Sequence, residues 1–140
     1  MSGFDLERFV TAQKGIYATA LAELEAGHKR SHWMWFIFPQ LAGLGHSPTA
    51  VRYALASAEE ARAYLYHPVL GARLHDCVAA MLLHRGRRPE AILDGIDAMK
   101  FRSSLTLFEA VAEDPTPFAA ALEAFYCGVR DERTLELLAR

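Results

Sequence analysis

Two short segments of the 140-residue chain concentrate the side chains that could do chemistry. The first, KRSHWMWFIFPQLAGLGHS at 29–47, sets Lys29, Arg30 and His32 ahead of Trp33 and Trp35, with Gln40 and His46 behind them. The second, DAMKFRSSLT at 97–106, sets Asp97 and Lys100 ahead of Ser103 and Ser104. Indole faces stack on planar groups, and lysine or arginine holds negative charge. Histidine exchanges protons near neutrality, which makes His32 the catalytic candidate, with Asp97 as its partner. Gln13 lies on the apolar stripe of the first predicted helix, where a polar group must find a partner or line a cavity. The expectation is a pocket where the 32–38 helix meets the 98–113 helix, hosting binding or catalysis. Its ligand-binding residues are Gln13, Lys29, Arg30, Trp33, Trp35, Gln40, Lys100, Ser103 and Ser104, and its ligand is a small anion, nucleotide-like or ADP-ribose-like. No cofactor is assigned.

Each of these residues also has a plainer reading. Gln13 can be a satisfied core amide, Asp97 a helix cap, Lys100 a solvated first-turn residue, and the serines can bond back to their own helix. The run Trp33–Phe38 is apolar on every side, so it fills the core or meets a partner. The second alternative makes it a protein-interaction module or homodimer seam. His28 and His32 are four apart, but Gly27 and Ser31 mark a helix boundary there and no HExxH accompanies them, so no metal site is expected. There is no GxSxG elbow. GLG at 43–45 is too short for a dinucleotide fingerprint, although its N–H groups could meet an anion.

The elements that must position these residues are helices. Hydrophobic residues make up 52% and charged residues 23%, a globular balance for one domain spanning 1–140. The net charge of −2 argues against nucleic-acid or anionic-membrane binding. No stretch approaches a membrane span or a secretory h-region, so a cytoplasmic location is expected. Cys77 and Cys127 lack CxxC spacing and are expected as buried free thiols. Only three lysines stand against twelve arginines, which makes the placement of Lys29 and Lys100 informative.

Helical spacing runs from Leu6 to Leu24, with Asp5 as the expected cap and Gly27 as the stop. Ser31 should cap a helix over 32–38 that Pro39 ends. Ser47 with Pro48, and Ser57 with Glu60, open the next two. Leu70, Leu74, Cys77, Val78, Met81 and Leu82 form the clearest stripe, and the cluster Arg85, Arg87 and Arg88 complements that helix's C-terminal dipole. Pro89 starts a short helix. Asp97 is the expected cap of the helix over 98–113, and Asp131 caps the last turn. The prediction is all-α, six to eight helices of unequal length, and not a simple four-helix bundle.

At HWMWFIFPQLAGLG the sequence resembles the DUF1810 or Rv1873-like family, small bacterial proteins of uncharacterised function. DLERFVTAQ, AGHKRSHWMWFIFPQLAGLGHSPTAVRYAL, EEARAYLYHPVLGARL and DAMKFRSSLTLF extend the resemblance over nearly the whole chain. It implies an all-α fold and no established activity, cofactor or catalytic residue. Its segments contain Gln13, Lys29, His32, Trp33, Gln40, Asp97, Lys100 and Ser104. An alternative enzyme reading, a distant likeness to the all-α NADAR-type N-glycosidases, has no motif match to carry it.

Overall fold

A computed structural model describes residues 4–140. In chain order the helices are α1 (Glu7–Gln13), α2 (Tyr17–Ala26), α3 (Met34–Ile37), α4 (Pro48–Arg52), α5 (Ala58–Leu65), α6 (Leu70–Leu82), α7 (Pro89–Leu93), α8 (Gly95–Val111), α9 (Thr116–Tyr126) and α10 (Glu132–Leu138). The described residues contain no strand; a single parallel bridge joins Leu41 to Leu55. The fold is all-α in one compact domain, and the helices run from 4 to 17 residues.

α8 is the axis, touching α5, α7, α9 and α10. Phe101, Leu105, Leu107 and Phe108 are buried along it. The ring of Phe101 meets Phe38 at 4.6 Å and Phe125 at 6.2 Å, so the aromatic run and α9 close on the same residue. Burying these rings from two sides of α8 contributes to the apolar core of the fold. Behind α8, α5 and α6 approach closely enough that a Cβ on Gly71 would lie 1.9 Å from the Leu65 carbonyl oxygen. Only glycine fits that crossing.

Three local expectations change. The predicted helix from Asp5 to Gly27 is two helices, because Gly15 adopts φ 77° and turns the chain between α1 and α2. Asp5 caps nothing: the residue before α1 is Leu6, without a side-chain cap. The helix expected from Asp97 begins earlier, at Gly95, capped by Asp94, whose carboxylate accepts the Asp97 N–H at 2.8 Å. Ser47, Ser57 and Asp131 do cap α4, α5 and α10. Glu60 reaches back to the N–H of Ala56 rather than to that of the cap residue.

Candidate functional site

The aromatic segment is held by a residue that is silent in the sequence. Glu23, on α2, accepts the N–H groups of Arg30 and Ser31, the Ser31 hydroxyl at 2.6 Å and the Trp33 indole N–H at 3.0 Å. Ser31 therefore serves Glu23 and does not cap a helix; α3 starts only at Met34, with Trp33 in the position before it and no side-chain cap. Burial pushes the Glu23 carboxyl up, but the hydrogen bonds from Ser31, Arg30 and Trp33 outweigh it and hold it down at about 2. A carboxylate depressed in the folded state contributes stability above its ordinary value near 4.5 and loses it as pH falls toward 2. Glu23→Gln is accordingly expected to flatten the fall of stability over that window, measured as urea midpoint against pH. A fall as steep as the wild type's would contradict this account.

From the other side, Gln13 fixes the same segment. Its amide nitrogen donates to the Phe36 carbonyl at 2.7 Å and to the Tyr64 hydroxyl at 3.1 Å, while its oxygen accepts from Arg73 at 3.2 Å. Gln13 is a buried strut with its donors and acceptor engaged and is not part of the cleft wall described below, which fits the core-amide expectation and not the ligand-contact one.

Asp97 lies between the two informative lysines, 2.9 Å from the Lys29 ammonium and 3.6 Å from that of Lys100. Each ammonium also lies over an indole, Lys29 at 5.1 Å from the Trp33 ring and Lys100 at 4.7 Å from the Trp35 ring. The Lys29 backbone N–H is fixed to the Ile92 carbonyl on α7 at 2.8 Å. The Lys29 side chain is 7% exposed and Lys100 24%, so the inner pair, Lys29 on Trp33, belongs to the core and the outer pair, Lys100 on Trp35, faces solvent.

The outer pair opens onto a cleft of about 470 Å³ between α8, the 40–47 loop and the start of α10. Trp35, Gln40, Lys100 and Ser103 line it, four of the residues expected from the sequence. His46, Ser47 and Arg133 add to its polar wall, and Leu44, Ile96 and Met99 form much of its apolar one. The side chains of Gln40 and His46 make no hydrogen bond among the described residues, so their donors and acceptors are free for a ligand. Asp131 also borders the cleft, but its carboxylate is occupied by the N–H and hydroxyl of Thr134. The cations on its wall, Lys100 and Arg133, are each in a loose ion pair, with Asp97 at 3.6 Å and Glu136 at 3.3 Å, that an entering anion can share.

The other expected site residues lie elsewhere. His32 and Arg30 are exposed outside the cleft, and no hydrogen bond joins His32 to Asp97, whose carboxylate is enclosed by lysines. The expected acid/base pair is therefore not formed. Trp33 is fully buried. Ser104 is buried with its hydroxyl unpartnered, whereas Ser103 bonds back to the Met99 carbonyl at 3.2 Å. Glu23 was missed because an acid on a short amphipathic helix reads as solvated. Met99 and Arg133 carried no local motif. The described residues contain no group of three or more His, Cys, Asp and Glu able to hold a metal, and no helix long and apolar enough to cross a membrane.

With this geometry in hand, comparisons with known proteins are informative about kinship and silent about chemistry. A family model described as "Protein of unknown function (DUF1810)" matches residues 3–138. The structure is similar to the crystal structure of the conserved hypothetical protein Rv1873 from Mycobacterium tuberculosis, at 50% sequence identity and a TM-score of 0.96 over 98% of each chain. No curated protein matches.

Proposed function

The chain belongs to the DUF1810 family, a family of unknown function, and on that premise we propose that the Trp35–Lys100 cleft binds a small anionic molecule with a planar group. The observation that carries the reading is the Lys100 ammonium placed 4.7 Å from the Trp35 ring centre at the wall of a 470 Å³ cleft. A planar group stacks beside the indole, Lys100 and Arg133 hold its charge, and Gln40 and His46 supply hydrogen bonds that fix its orientation. If the bound molecule is also transformed, as an N-glycosidase reading requires, the proton-transfer position falls to His46, the one histidine on the cleft wall.

Thermal shift against a panel of nucleotides and sugar phosphates tests the proposal. At least one compound should raise the melting temperature of the wild type, and Trp35→Ala should abolish the rise while leaving the fold intact. A panel that leaves the wild type unmoved overturns the reading.

A second reading, a protein-interaction surface or homodimer seam, is favoured by two large apolar side chains at the rim, Ile96 at 70% and Met99 at 65% exposure. Of the aromatic run, only Trp35 and Phe36 retain surface for a partner. A light-scattering mass that stays monomeric, and is unaltered by Met99→Ser, counts against it.

A further inference from the structure

Beside the cleft lies a second hollow of about 430 Å³, and Asp131 and Arg133 border both. Arg102, on α8, forms its other wall. The Arg102 guanidinium has no hydrogen bond and no ion pair among the described residues; its Nε is buried without an acceptor, and its head rests 5.8 Å from the Tyr126 ring. Buried charged donors are ordinarily paired, so Arg102 carries unused capacity on the inner side of the hollow. The neighbouring arginines divide clearly. Arg130 is committed to both carboxylate oxygens of Glu109 and to the Gly128 carbonyl, whereas Arg133 reaches only the exposed Glu136 at 3.3 Å. Of the acids at the rim, Glu132 is exposed, Glu136 meets Arg133 in an exposed pair that solvent weakens, and the Asp131 carboxylate is taken by Thr134.

The walls are fixed relative to one another. The Thr106 hydroxyl donates to the Arg102 carbonyl at 2.8 Å and accepts the Asp131 N–H at 3.0 Å, which ties α8 to the start of α10. The Arg130–Glu109 pair ties the connection between α9 and α10 to α8 about a turn further along. Two guanidinium forks thus face a hollow whose shape does not depend on a ligand, the arrangement that matches the oxygens of a phosphate.

We propose that Arg102 and Arg133 form an anion subsite for the phosphate group of a ligand whose planar part lies in the Trp35–Lys100 cleft. The ligand is then a phosphorylated ring compound, with Arg133 at the junction. The ligand class rests on the cleft reading; the anion subsite does not.

Two measurements separate them. In ¹H–¹⁵N spectra of the wild type, inorganic pyrophosphate should move the Arg102 Nε–H signal, identified by its loss in Arg102→Lys. In calorimetric titrations, Arg102→Gln should bind AMP about 10- to 100-fold more weakly than the wild type does, the loss of one charge-assisted contact, with adenosine binding unchanged. AMP binding equally to both proteins, with the Nε–H signal still under pyrophosphate, overturns the subsite and leaves the cleft. A signal that moves with pyrophosphate while neither adenosine nor AMP binds supports the subsite and counts against the cleft. A signal unmoved by pyrophosphate in a protein that does not bind AMP overturns the subsite as well.

Discussion

Trp33→Ala is expected to lower the stability of the protein by about 3–5 kcal/mol, the range for truncating a buried aromatic side chain. Trp33 has no exposed surface, lies 6.4 Å from the Phe38 ring and carries the indole N–H that Glu23 accepts. Removing it opens a cavity beneath α3, strips one donor from Glu23 and leaves the Lys29 ammonium without its ring. Chemical denaturation gives the value directly, and on heating the midpoint should fall by roughly 10 °C or more. Trp35→Ala, two residues away, is the control. Trp35 is half-buried with its ring on the cleft, so its loss should change ligand response far more than stability. Equal destabilisation by the two substitutions would contradict the division into an inner and an outer tryptophan.

Asp97→Ala should be of similar size, about 3–5 kcal/mol, for an electrostatic reason. Lys29 and Asp97 are 7% and 12% exposed at their side chains, and removing one member of such a pair strands the other's charge out of water. Lys100 can turn toward solvent; Lys29, fixed at its backbone to Ile92, cannot easily do so. The double variant Lys29→Met with Asp97→Ala should recover much of the loss, because the stranded charge is then gone. Denaturation of the two single variants and the double variant supplies the coupling. Additive losses would show that the pair is not the cause. Breaking the exposed Arg133–Glu136 pair should cost less than about 1 kcal/mol by the same measurement.

Sequence reasoning succeeds here where a local rule governs. Ser47, Ser57 and Asp131 cap their helices because side-chain capping is decided within three or four residues. The α6 stripe of Leu70, Leu74, Cys77, Val78 and Met81 is buried because one face of one helix meets one core. Where two elements decide an outcome together, the reading falters. Trp33 and Trp35 are indistinguishable by type, and only the direction from which α2 and α8 approach makes one core and the other cleft. Ser103 and Ser104 are likewise adjacent, and a rotation of about 100° per residue separates a cleft wall from the buried interior. A histidine beside the tryptophans suits acid/base work by its chemistry alone, but both His32 and His46 are exposed, and of the two it is His46 that borders the cleft. Asp97 was misread as a cap because Asp94, which performs that task, has a backbone geometry that no pattern announces.

That geometry has a mechanical side. Asp94 adopts φ 87° and ψ 172°, a region that residues other than glycine seldom occupy, and it is the single residue between α7 and α8. At 1.5 Å per residue, α8 is a rigid arm about 25 Å long hinged at that corner. A swing of about 10° there would carry Lys100 roughly 1.5 Å and the far end of the arm about 4 Å, by the same rise per residue. The carboxylate of Asp94, clamped on the Asp97 N–H, holds the first turn of the arm at the corner. The corner thus fixes where the arm begins, and the packing of α5, α9 and α10 along it keeps Lys100 beside Trp35 and Phe108 in the core.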